Sequence, residues 1–173
     1  MVTKCLMGVL FDKSGLNNTD AVFENVKDYL GENNVNNIII ASTTGFTASF
    51  AERYFVDNDK LIICKQDMSD EFSMKKEVQD KLEEKYIVVD IPLKYLRNKI
   101  GADGTNILRR ISQGVKVCFE LVEFLCEKEM LSENGKVVVI AGTLKGADTA
   151  VAFQLNGKHN YKVDRILCLP RNI

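Results

Sequence analysis

The sequence predicts an α/β protein: three layers, with a mixed, mostly parallel sheet and helices on both faces. Three observations carry this. Short apolar runs rich in valine and isoleucine recur, at 38–41 (IIIA), 61–64 (LIIC), 87–91 (IVVDI) and 136–142 (KVVVIAG). They are apolar throughout rather than alternating, as in strands covered on both faces. Longer amphipathic stretches separate them, and that alternation produces parallel strands joined by crossover helices.

The elements follow in order. Residues 6–11 (LMGVLF) read as a first strand, since the run ends at Asp12 with no small-residue cleavage site. In 20–30, Val22, Phe23, Val26, Tyr29 and Leu30 share one helical face. Thr19 suits the N-cap and Gly31 the stop. A helix runs through FTASFAERYF after the 38–41 strand, and Met74, Val78 and Leu82 mark a charged surface helix over 70–85. GADG at 101–104 reads as a turn before a helix capped by Thr105, and that helix breaks at Gly114. The stretch VKVCFELVEFLCEKEML is apolar around most of its circumference, so it is buried. TAVAF at 149–153 and RILCL at 165–169 are closing strands turned at Asn156-Gly157. They follow with no helix between them, which places an antiparallel strand at an edge.

Composition narrows the function. With 23 basic and 24 acidic side chains, the net charge of −1 offers no basic excess to release counterions, so nucleic acid is not the expected partner. No apolar run approaches a membrane span. The five cysteines are scattered without a CxxC pair; Cys5, Cys64, Cys118 and Cys168 lie in apolar runs, which fits reduced thiols and a cytoplasmic location. The one histidine, His159, sits in the polar QLNGKHNYK, away from any metal or nucleophile pattern. One domain spanning 1–173 is expected, with no linker or repeat dividing it.

In open α/β sheets ligands bind beyond the carboxyl ends of the strands. Three loops there are rich in small polar residues. ASTTGFTASF (41–50) supplies hydroxyls from Ser42, Thr43, Thr44 and Thr47, while Gly45 allows close backbone approach to the next helix's free amides, the make-up of a phosphate site. The competing reading is helix capping alone. AGTLKGADTA (141–150) carries Gly142, Thr143, Lys145, Gly146, Ala147, Asp148 and Thr149: a ligand loop or a plain hairpin turn. FDKSGLNNTD (11–20) carries Lys13, Asn18 and Thr19: a ligand loop or a capped helix entry. Glu120 shares helical spacing with Lys116, Glu123 and Glu127, either as a solvated stripe or with Glu120 facing the crevice.

At these loops the blocks FDKSGLNNT, IIIASTTGFTA, GVKVCFEL, VVVIAGTLKGADTAVAF and ILCLPRN occur in an order that resembles the stand-alone proteins built on the pyruvate kinase C-terminal domain. The resemblance covers roughly 8–58 and 100–173. Over 64–95 only the pattern matches, and Thr143-Leu144-Lys145 stand where relatives tend to be more polar and Arg-rich. It implies a five-stranded mixed sheet with an antiparallel edge strand. It also implies a phosphate on the loop Ser42–Thr47 and the Gly142–Thr149 loop over the rest of the ligand, which would be flavin mononucleotide (FMN) or a sugar phosphate. The chain is too short to include a catalytic barrel, so no pyruvate kinase activity is implied. The expectation is a binding protein for a phosphorylated small molecule, with a homo-oligomer as a further option. The alternative is a flavin-dependent or hydrolytic enzyme using Glu120, Asp148 and Lys13.

Overall fold

A computed structural model describes residues 8–55, 60–66 and 73–171. The part of the first predicted strand at 6–7, and Cys5, lie outside those residues. The elements are β1 (Val9–Phe11), α1 (Thr19–Glu32), β2 (Asn37–Ala41), α2 (Phe46–Tyr54), β3 (Leu61–Gln66), α3 (Lys76–Glu83), β4 (Ile87–Ile91), α4 (Tyr95–Ile111), α5 (Gln113–Glu127), β5 (Asn134–Ala141), β6 (Thr149–Asn156) and β7 (Tyr161–Pro170).

The strands form one mixed sheet in the order β1-β7-β6-β5-β2-β3-β4. It is α/β, as expected, but it has seven strands rather than five. β5, β2, β3 and β4 are mutually parallel, as are β1 and β7. β6 alone runs against its neighbours, paired with β5 and β7. The antiparallel strand is therefore inside the sheet, not at its edge. The cause is that β7, returning through the turn after Asn156, pairs along the outer side of β6, and β1 then adds beyond it.

Burial explains the apolar runs. In β2, Ile38 and Ile40 face one layer and Ile39 the other, and each is 1% exposed or less. On the first face α1 and α2 supply Val22, Phe23, Val26, Ala48 and Ala51. On the second, α5 supplies Val115, Cys118, Leu121, Val122 and Leu125. At roughly 25 cal/mol per Å² of apolar area, these two seams are the main driving force for the fold.

Four local expectations are corrected. α1 passes Gly31 and ends at Glu32, where Asn33 Nδ2 donates to the Tyr29 carbonyl. α4 begins at Tyr95, before the expected start, and its helical backbone is interrupted at Gly101 (φ 76°, ψ 172°), so the turn expected at GADG is present at its first residue, as a kink between two helical pieces. Thr105 accordingly does not cap: its hydroxyl donates to the carbonyls of Gly101 and Ala102. The break before α5 is at Ser112, not Gly114; Ser112 Oγ accepts from the Val115 amide at 2.9 Å.

Candidate functional site

Because β1, β2 and β5 run in one direction, the loops after them emerge from the same edge of the sheet. β2 leads towards β3 on one side, and β5 leads towards β6 on the other. The gap between β2 and β5 is thus the point where outgoing connections diverge, the place where ligands settle in open α/β sheets. The loops 42–45 and 142–148 flank it.

The 142–148 loop is closed upon itself and upon the β1–α1 loop. Asp148 is wholly buried. Its Oδ2 accepts from the amides of Gly15 (2.9 Å) and Thr143 (3.1 Å), and its Oδ1 from Thr149 Oγ1 (2.8 Å). Charge-assisted bonds of this kind compensate the burial of a carboxylate. Thr19, also buried, accepts from the Ala147 amide at 3.0 Å while donating to the Leu16 carbonyl. It links two loops rather than capping α1. Gly146, at φ 78°, allows this closeness: a Cβ there would lie 2.5 Å from Thr19 Oγ1. Thr149 stands 3.5 Å from Ser112 Oγ. Asn18 Nδ2 donates to the Lys13 carbonyl, and the Lys13 side chain is exposed. Gly142 and Thr143 are half-buried.

The 42–47 loop differs. Ser42 Oγ is committed, accepting from the Ala48 amide at 3.0 Å. Thr44 Oγ1 accepts a long 3.4 Å bond from Phe46, and Thr44 is exposed while Thr43 is half-buried. The amides of Gly45 and Thr47 have no acceptor among the described residues. Gly45 takes φ 87°, a conformation that L side chains rarely adopt, and a Cβ would meet Val78 Cγ1 at 2.5 Å. Thr47 is 5% exposed, and its hydroxyl has no partner among the described residues. No sealed side-chain oxygen or nitrogen lacks a partner there, so the Thr47 oxygen keeps an opening to solvent. Across the gap, Lys145 places its ammonium 4.5 Å from the centre of the Phe46 ring, the first residue of α2. A cation thus stands over a helix start with unused amides and an unused hydroxyl, an arrangement suited to an anion.

Glu120 stands at the carboxyl ends of β3 and β4, with Gln66, the last residue of β3, and Leu96, shortly after β4, among its partners. It is fully buried on α5, where Oε2 takes Lys116 Nζ at 2.5 Å and Gln66 Nε2 at 3.3 Å, and Oε1 takes the Leu96 amide at 3.2 Å near the start of α4. The solvated-stripe reading is thereby corrected for its first two members. The outer two, Glu123 and Glu127, share Lys99 at 2.6 and 2.8 Å. Glu120, Asp148 and Lys13 thus sit in three different settings, two of them hydrogen-bonded carboxylates.

At the opposite end of the sheet a cleft of 310 Å³ is lined by Cys126, Leu131, Leu155, Lys158 and His159, among others. His159 is exposed in the β6–β7 turn. Burial pushes the Cys126 thiol up to about 11 and the Cys168 thiol up to about 12, so both are protonated at neutral pH. No group of three or more His, Cys, Asp or Glu positioned for a metal occurs among the described residues, and no helix among them is long and apolar enough to cross a membrane.

Three contributors escaped sequence reasoning: Gly15 and Ser112, which hold Asp148 and Thr149, and Phe46, under Lys145. Ser112 was readable as an N-cap ahead of an apolar run. The other two act through partners far away in sequence. No protein-family model matches the chain.

Proposed function

We propose that the protein binds a phosphorylated small molecule at the β2/β5 gap, with the phosphate on Thr43–Thr47 and the Lys145 ammonium neutralising it. The observation that carries this reading is the unpartnered, 95% buried Thr47, which follows Phe46, the residue whose ring the Lys145 ammonium covers. Hydroxyls and amides left without acceptors cost free energy unless water or a ligand satisfies them. The Gly142–Thr149 loop, held rigid by Asp148, forms the opposite wall and covers the sugar or ring. Lys13 adds positive charge at the rim. FMN and sugar phosphates are the ligand classes expected, by likeness to the pyruvate kinase C-terminal domain, and the protein acts as a binder without phosphoryl transfer to ADP.

The purified protein's visible absorbance and a thermal-shift screen test this. Yellow protein identifies flavin. A colourless protein stabilised by FMN or a sugar bisphosphate supports the reading, since saturation at about a hundred times Kd adds about 2.7 kcal/mol. Absence of any shift from FMN, sugar bisphosphates and nucleotides overturns it.

A further inference from the structure

The α5 face of the sheet, opposite the Thr47 side, carries a buried cation with unused donors at the same edge. The Lys116 side chain is 8% exposed, and its ammonium has one acceptor, Glu120 Oε2 at 2.5 Å. Its two other N–H groups have no partner among the described residues. Gln66 Nε2 donates to that same oxygen at 3.3 Å. An ionised carboxylate only accepts, so the Gln66 amide is fixed with Nε2 towards Glu120 and Oε1 turned away. Oε1 has no donor among the described residues. None of their sealed side-chain oxygens lacks a partner, so it is open to approach.

The fold sets this group beside the phosphate cradle. Cys64 packs on the α5 side, and Gln66, two residues further along β3, projects to that side as well. α5 starts at the carboxyl edge, where Ser112 Oγ stands 3.5 Å from Thr149 Oγ1, and Lys116 lies in its first turn. The Cys64 carbonyl accepts from the Ser42 amide at 2.8 Å. The loop that leads to Thr47 therefore rests on the strand that carries Gln66.

Unpaired donors on a buried ammonium are unfavourable until water or a ligand accepts from them. Two donors and one acceptor around an ion pair of no net charge match a neutral hydroxyl. It accepts from Lys116 and donates to Gln66 Oε1, the same two kinds of bond that a water would make. A second phosphate would instead meet the Glu120 carboxylate.

We propose that Lys116 and Gln66 form a hydroxyl-binding subsite, positioned by Glu120, and that the ligand is a phosphorylated polyol: a sugar phosphate, or FMN through its ribityl chain. This rests on the phosphate site at Thr43–Thr47 and extends it over the sheet edge to the α5 face.

Nitrogen-15 NMR of the full chain reads the two ends separately, through the Thr47 backbone amide and the Gln66 side-chain amide. Inorganic phosphate is expected to move Thr47 alone. Ribose 5-phosphate or FMN is expected to move both, and whichever does so identifies the polyol. Gln66→Leu leaves the Lys116–Glu120 pair in place; it weakens that ligand by about three- to tenfold and leaves the affinity for inorganic phosphate unchanged. Lys116→Met/Glu120→Met has the same effect. A ligand that moves Thr47 but not Gln66 overturns the hydroxyl subsite and leaves the phosphate site standing. A ligand that moves Gln66 alone supports the subsite and overturns the phosphate site. No movement of either signal with any of the three probes overturns both. A Gln66 response to inorganic phosphate, or unchanged polyol affinity in Gln66→Leu, also overturns the subsite.

Discussion

Two loops stand side by side at one edge of the sheet, and their composition is alike: glycine, threonine and one or two charged residues. In the loop after β5 the buried polar side chains are spent. Every oxygen of Asp148 has a donor, and Thr149 and Ala147 are tied to it or to Thr19. The loop after β2 keeps amides and the Thr47 hydroxyl unused. The difference teaches that Ser/Thr/Gly content does not separate a structural turn from a binding turn. The accounting of donors and acceptors does. A rigid wall and an open cradle together make a pocket; two spent loops, or two open ones, would not.

If the β5 loop is the rigid wall, removing its pin has the largest effect. Asp148→Ala takes the acceptor away from the Gly15 and Thr143 amides and from the Thr149 hydroxyl, leaving buried donors unpaired. It lowers stability by about 2–4 kcal/mol in urea denaturation. A loss below about 0.5 kcal/mol would show the wall is not held this way.

Glu120 tests whether the second buried carboxylate is also structural. Glu120→Gln strands the Lys116 ammonium, which is 8% exposed on its side chain, at a cost of about 2–3 kcal/mol. The double variant Lys116→Met/Glu120→Met recovers most of that, because a buried pair replaced by apolar groups is often neutral. Failure of the double variant to recover would point to the Leu96 and Gln66 bonds rather than the ion pair.

Smaller is the effect of Gly114→Ala. Its Cβ would stand 2.1 Å from Thr149 Oγ1 and 3.1 Å from Asp148 Oδ1, so α5 must shift from the loop, at about 1–3 kcal/mol. An unchanged denaturation midpoint would mean that α5 does not press on the wall.

Least affected is the remote Tyr29–Lys136–Asp164 cluster. Lys136 Nζ lies 2.9 Å from Asp164, and hydrogen bonding to Lys136, against some burial, holds the Asp164 carboxyl below its usual value. That stabilisation is present above the unfolded carboxyl value near 3.9 and is lost as pH falls through the depressed folded value. Lys136 is raised, first by its bond to Asp164, so its share is present below about 10.4 and lost as pH rises through the raised value. Lys136→Met therefore costs about 0–1 kcal/mol at neutral pH, and the gap to wild type closes in strong acid and strong base. A gap independent of pH would assign the effect to packing on Tyr29.

The strands were readable because their residues are buried on both faces: Ile38 to Ile40, Leu61 to Cys64 and Val137 to Ile140 leave no polar alternation to confuse with a helix. The five-strand expectation failed at β7 and β1, whose place depends on pairing with β6 across the sheet, a long-range event that local pattern does not encode. The break at Gly101 was legible, but the helical piece before it was not, because that piece depends on Leu96 being buried and donating its amide to Glu120. At the site, the loops and their common edge were legible from strand direction. Which hydroxyls are spent was not: Gly15 and Asp148 are 133 residues apart.

The open cradle is the central claim, and calorimetric titration of FMN and of a sugar bisphosphate into wild type and the Thr44→Ala/Thr47→Ala variant tests it most directly. Each hydroxyl that bonds to phosphate is worth about 0.5–3 kcal/mol. The double variant is therefore expected to bind at least about fivefold more weakly, with its urea midpoint within error of wild type. Equal affinity in the two proteins would contradict the cradle.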